Sequence, residues 1–161
     1  AVGFELGILE LLPRAAADLD YLGPDLLSDD FDAARAVANI EARPDAKIGE
    51  ALLDQRLMAG VGNVYRCEAC FLRGIRPDRL VADVDVPPLV DLCRRMLWAN
   101  RLRTARTTTG RTGHNARTWV YGRIGQPCRR CGTLIAREFW RDRPDSTRED
   151  RVVYYCPRCQ T

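Results

Sequence analysis

Lysine and histidine are nearly missing from this chain: Lys47 and His114 are the only ones among 161 residues. A lone lysine at a helix start, with no sign of the burial that lowers an ammonium pKa, is not expected to act as an amine nucleophile. His114 lies in an arginine-rich loop without a nearby acid and reads as a surface residue rather than a catalytic one. No apolar run approaches the roughly 18 to 20 residues needed to cross a bilayer. The opening stretch AVGFELGILELLPR carries two glutamates and lacks the basic start of a signal peptide. The chain therefore reads as soluble and intracellular, with no membrane partner. No internal repeat is found.

Acid is also absent from one long stretch. Residues 94 to 130 hold ten arginines and no Asp or Glu. Residues 1 to 50, by contrast, hold eleven acids against four bases. A segment of one sign repels itself unless a polyanion lies against it, so nucleic acid is the leading partner; a solvated arginine-rich face is the alternative.

What is present in quantity is cysteine, and its spacing is informative. Cys128-x2-Cys131 and Cys156-x2-Cys159 are separated by twenty-four residues. Two such pairs can bring four thiolates to one tetrahedral Zn²⁺, since each two-residue spacer bends the backbone towards a common centre. Paired disulfides are the competing reading, and an intracellular protein would rarely keep them. One structural zinc is expected, with no open coordination position for catalysis. Cys67 and Cys70 repeat the spacing, but they share a helix with Val64, Phe71 and Ile75 at helical intervals and have no second pair. They are expected in the core along one buried stripe, and Cys93 in the core on the apolar face of another helix, with Leu89 and Met96.

Helices are expected at about 31–42, capped by acids around Ser28 to Asp30, at about 47–56, from Asn63 to GIRPDR, and from Pro87 to about Leu102. Strand-like alternation marks the first dozen residues, and a β-hairpin with cysteine pairs at its base ends the chain. Between the second and third helices lies LMAGVGNVYR, residues 57 to 66. A helix that restarts at Asn63 after Gly60 and Gly62 turns free backbone N–H groups outward, a ready phosphate site. Asn63 acting only as a helix cap is an equally good reading of the motif taken alone.

In order, LGPDLLSDDFD, LLDQRLMAGVGNVYRCEACFLRGIRPDR, VYGRIGQPCRRCGT and RVVYYCPRCQ resemble the C-terminal half of the formamidopyrimidine-DNA glycosylase and endonuclease VIII family. The resemblance implies a mainly α fold, a helix-two-turns-helix domain followed by a zinc-finger β-hairpin of four-cysteine type. It divides the chain into remnant strands of a missing catalytic domain at 1–20, the helical DNA-binding domain at 21–104, a linker at 105–118 and the zinc finger at 119–161. It also assigns the DNA contacts to Gly60, Gly62, Asn63 and Arg151, the last standing five residues before the third zinc ligand. The implied activity is base-excision repair by a DNA glycosylase and AP lyase, the implied partner double-stranded DNA, preferably damaged or abasic, and the implied state a cytoplasmic, nucleoid-associated monomer. A non-enzymatic zinc-ribbon module and a thiol redox protein using Cys67 and Cys70 are the rival readings.

Three departures bear on function. The family's N-terminal Pro-Glu is absent, and the start at Ala1 within a strand-like pattern suggests a chain cut from something longer, so no catalytic residue is expected here. Gly49 follows Ile48 where many relatives carry lysine, which favours oxidised pyrimidines over 8-oxoguanine. The interval between the cysteine pairs is long, and WRDRPDSTRED is expected to lengthen the hairpin tip.

Overall fold

In the computed structural model, residues 21–113, 115–140 and 151–161 are described. The strand-like opening, His114 and most of the hairpin tip lie outside them. The described elements are α1 (Ala33–Glu41), α2 (Ile48–Ala51), α3 (Asn63–Arg73), a 3-10 turn (Val81–Asp83), α4 (Val86–Asn100), β1 (Ala136–Trp140) and β2 (Arg151–Tyr155).

Helix α1 begins within two residues of its expected start, with its cap just past the acidic cluster expected to provide it. Asp32 is the N-cap, its carboxylate accepting from the Arg35 amide at 2.9 Å, because Phe31 just before it packs against the helical core. The second expected helix is much shorter than its sequence pattern. After Ala51 the chain passes into turns, and Asp54 stabilises them by accepting from the Arg56 amide at 3.0 Å and from the Arg56 guanidinium at 2.7 and 2.8 Å. These local bonds compete with helix continuation. Helix α3 ends as expected at Gly74, which has φ +72° and the left-handed conformation of a C-cap. Prolines occupy the first turn of α4.

The main core lies among α1, α3 and α4 and is built from Leu26, Ile40, Leu52, Met58, Leu89 and their neighbours. A second, smaller core joins Cys67 and Phe71 of α3 to Val120, Cys128, Ile135 and Cys156. The single buried stripe expected for α3 is therefore wrong. Cys70 faces the main core and Cys67 the second one, since the helix is packed from two sides. All three of Cys67, Cys70 and Cys93 are buried and free, as expected of core thiols. Burial pushes their pKa values up, that of Cys93 to about 12, which deprives the thiol redox reading of a reactive thiolate.

The two strands pair antiparallel in the register Ala136↔Tyr155 to Trp140↔Arg151. Trp140 is thus the last residue of β1 and not part of the tip extension. It is buried, and its indole packs on Gly49: a Cβ built at Gly49 would lie 3.0 Å from the ring and 2.9 Å from the Pro77 carbonyl. Replacing Gly49 with lysine should accordingly displace Trp140 and lower the melting temperature, with a cost of about 1–3 kcal/mol for overpacking. Thermal unfolding checks this, and unchanged stability would contradict the packing.

Candidate nucleic-acid interface and metal centre

The glycine turn before α3 is held by a residue that no motif pointed to. Gln55 accepts from the Gly60 amide at 2.9 Å and donates to the Val61 carbonyl at 2.9 Å. Gly60 has φ +114°, and a Cβ there would meet Leu97 at 3.1 Å, so the turn itself requires glycine. Gly62 differs. Its φ of −105° and ψ of 176° suit any residue, and a Cβ there would meet nothing within 4 Å.

Gly62 is also the N-cap of α3, so no cap side chain covers the amides of the first turn. Asn63 is the first helical residue and does not cap the helix. Its carboxamide instead reaches the zinc hairpin, donating to the Val152 carbonyl at 2.9 Å. Two residues 89 positions apart thereby bring the start of α3 against β2, whose first residue is Arg151. Arg66 closes the contact, donating to Val152 O at 3.0 Å and to Asn63 Oδ1. Beside the same helical turn an open cleft of about 510 Å³ is lined by Val64, Thr104, Arg106, Arg117, Thr118 and Tyr121.

The segment leading into the hairpin is fixed by Glu68. This wholly buried carboxylate accepts from three successive amides, those of Trp119, Val120 and Tyr121, at 2.7 to 2.8 Å, and from the Thr108 hydroxyl. Backbone donors thus replace the lost hydration of a buried charge. Glu68→Gln would set an NH2 group against those amides and should cost about 2–4 kcal/mol, measured as a lower denaturation midpoint with unchanged m-value. An unchanged midpoint would contradict that role.

Many of the ten arginines between 94 and 130 prove to be structural. Arg123 is buried and donates to the carbonyls of Trp119 and Pro127. Arg130 donates to the Phe71 and Leu72 carbonyls at the end of α3 and lies 4.4 Å from the Phe71 ring. Arg94 holds the Ser28 carbonyl and covers Phe31. These partners are carbonyls and rings rather than acids: among the described residues only Arg95 of the ten pairs with a carboxylate, Asp91 at 2.8 Å. The positive charge of the stretch remains largely uncompensated, although fewer arginines are free than the acid-free run suggested.

The four expected metal ligands converge. The sulfurs of Cys128, Cys131, Cys156 and Cys159 lie within 4.8 Å of one another, with Cys128–Cys159 at 3.9 Å and Cys131–Cys156 at 3.5 Å. A tetrahedron with Zn–S bonds of about 2.3 Å has S···S edges of about 3.8 Å, whereas a disulfide needs about 2.05 Å. The donor set and its spacing fit a structural zinc. Local bonds shape both knuckles. Gly132 turns with φ +77°, the Arg130 amide points at Cys128 Sγ at 3.4 Å, and buried Gln160 accepts from the Cys156 amide while donating to Ile75 O, both at 2.8 Å.

Comparison with known proteins agrees with this geometry. A family model described as the formamidopyrimidine-DNA glycosylase H2TH domain matches residues 22–108. The chain is 52% identical over 162 residues to Endonuclease 8 2 of Mycobacterium bovis, covering 99% of this chain and 60% of that one. It is 51% identical over 165 residues to the DNA-(apurinic or apyrimidinic site) lyase Nei2 of Mycolicibacterium smegmatis, covering 100% of this chain and 62% of that one. Among solved structures it resembles Lactococcus lactis Fpg in complex with an abasic site containing DNA, at a TM-score of 0.65 and 27% identity over 88% of this chain and 52% of that one. The chain spans about three fifths of the length of these curated relatives. With an H2TH match over more than half its residues and a four-cysteine centre behind it, this chain belongs to the formamidopyrimidine-DNA glycosylase and endonuclease VIII family.

Proposed function

We propose that this chain is the DNA-gripping part of a base-excision repair glycosylase and AP lyase that acts on oxidised bases, and that it folds around one structural zinc. An enzyme that works on a base inside a duplex must extrude the nucleotide, which requires a hold on the backbone on both sides of a kink. In this reading Asn63 with the first amides of α3 forms one grip, and Arg151 at the start of β2 forms the other. The contact between Asn63 and Val152 is the observation that carries it: it makes the two proposed grips neighbours. The open face at Gly62 gives a phosphate room to approach the helix amides. Arg106 and Arg117 in the adjoining cleft add positive charge along the same surface.

The partner is double-stranded DNA, damaged or abasic by preference, bound by a single chain inside the cell. Oxidised pyrimidines are the favoured lesions, a preference supported by Gly49. With Trp140 closed over that position, no lysine side chain reaches out from it. The 161 residues contain no Pro-Glu pair and are expected to bind without excising a base.

Competition binding tests this reading. The chain should prefer a duplex carrying an abasic-site analogue to intact duplex or structured RNA by about tenfold or more, and equal affinities would favour a general zinc-ribbon module. Borohydride should trap no covalent adduct with this chain alone; an adduct would overturn its assignment as binding without chemistry. Arg151→Ala should reduce the slope of log affinity against log salt by about one unit, as expected for one lost phosphate contact, and an unchanged slope would remove Arg151 from the grip.

A further inference from the structure

Arg66 has no place in the family motif as read from sequence, yet its setting is unusual. It is only 1% exposed. Among the described residues no carboxylate pairs with it, and its Nε has no hydrogen-bond partner. Its guanidinium carbon lies 5.4 Å from the centre of the Trp140 ring. A methionine would fill similar space without the cost of burying a charge, so the guanidinium calls for a reason beyond packing.

The reason lies three residues earlier, on the same side of α3. Arginine can only donate, so the Asn63 atom facing it is the oxygen; a carbonyl can only accept, so the atom facing Val152 O is the nitrogen. Chemistry on both sides thus fixes which way the carboxamide is turned. One Nδ2 hydrogen is committed to Val152, and the other remains to be donated. Without Arg66 only the Val152 carbonyl would oppose rotation of the carboxamide, and a rotated side chain would present its oxygen, which repels a phosphate. The same guanidinium also binds Val152 O at 3.0 Å, tying the strand that begins with Arg151 to the helix.

We propose that Arg66 is a positioning residue for the DNA backbone: it holds the Asn63 amide hydrogen in its donating orientation, without touching DNA itself. This inference rests on the reading of Asn63 as a phosphate donor. It separates from a purely structural role because Arg66 should act only through Asn63, whose neutral carboxamide contributes no counterion term.

The test is fluorescence anisotropy of the full 161-residue chain on a duplex containing a tetrahydrofuran abasic analogue, measured across a salt series. Arg66→Met should weaken binding by about tenfold, on the scale of one well-oriented hydrogen bond to a charged group, with an unchanged salt slope. Asn63→Ala should weaken it similarly, and the double variant should be no weaker than about twofold below Asn63→Ala, because both changes remove one function. Zinc content and thermal unfolding establish that each variant is folded. If Arg66→Met does not fold, Arg66→Lys decides: it keeps the charge but not the forked donor, and should remain at least about threefold weaker than the parent at unchanged slope. Parent-like affinity for whichever Arg66 variant decides overturns the proposal. So does full multiplication of the two single effects, or a slope reduced by about one unit, which would make Arg66 a direct phosphate ligand. If Asn63→Ala itself binds normally, the reading of Asn63 fails and the inference with it. If Asn63→Ala is weak and Arg66→Met is not, only the inference fails.

Discussion

Gly62→Asp should bind abasic DNA about 100-fold more weakly than the parent chain while melting at the same temperature or slightly higher. The N-cap of α3 has φ −105° and ψ 176°, ordinary extended backbone, and an added Cβ would meet nothing within 4 Å. Aspartate is among the preferred N-cap residues, better than glycine by a few tenths of a kcal/mol, and its charge adds about 0.3–1 kcal/mol at the positive end of a helix. Those stabilising contributions become losses once DNA is considered. The carboxylate would occupy the first-turn amides and set a negative charge where a phosphate is proposed to lie, for a combined loss of about 2–3 kcal/mol in binding. Gly60→Ala should behave in the opposite sense, damaging the fold by about 1–3 kcal/mol through its φ of +114° and the nearby Leu97. Anisotropy and thermal unfolding on the two variants separate the roles. A Gly62→Asp chain that binds like the parent would show that no phosphate approaches this turn.

Cys156→Ser should abolish zinc binding and unfold the hairpin, leaving the helical core in place. The second core contains six buried residues, two of which are the ligands Cys128 and Cys156 themselves. Strands of five residues each are too short to be stable alone, and a structural zinc typically contributes about 10–16 kcal/mol of binding free energy to folding. The main core, by contrast, draws on Leu26, Ile40, Met58 and Leu89, none of which belongs to the cluster around the metal ligands. Metal analysis should give one zinc per chain for the parent and none for the variant. DNA affinity should fall with it, because Val152 and Arg151 lose the strand that sets them beside Asn63. A variant that retains both zinc and hairpin would show that protein packing alone holds this region.

The sequence made legible what is carried by cysteine spacing and by turn and cap residues. Four cysteines in two short pairs announced the metal centre, two prolines the start of α4, and Gly74 the end of α3. What remained hidden were single polar residues whose partners lie far along the chain. Glu68 inside a helix looks like a surface residue until it meets the amides of Trp119 to Tyr121. Gln160 looks like a frayed terminus until it bridges Cys156 and Ile75. Arg66 and Trp140 belong to the same class, since a buried guanidinium and an indole closing over a glycine leave no pattern in their own neighbourhoods. Helix α2 failed for a different reason: propensity favoured continuation, but the hydrogen bonds of Asp54 with Arg56 ended it locally. The arginine run misled in degree, because counting charges does not reveal that carbonyls of the fold already occupy several of them.

Hydrogen exchange of the zinc-loaded chain, read by mass spectrometry with and without an abasic-analogue duplex, tests most directly whether α3 and β2 seize one strand together. The amides of residues 60–66 and those of residues 151–155 should slow in concert as the duplex is titrated, with the same apparent affinity. Protection confined to one of these segments, or centred instead on the apolar groove between α1 and α4, would contradict the account.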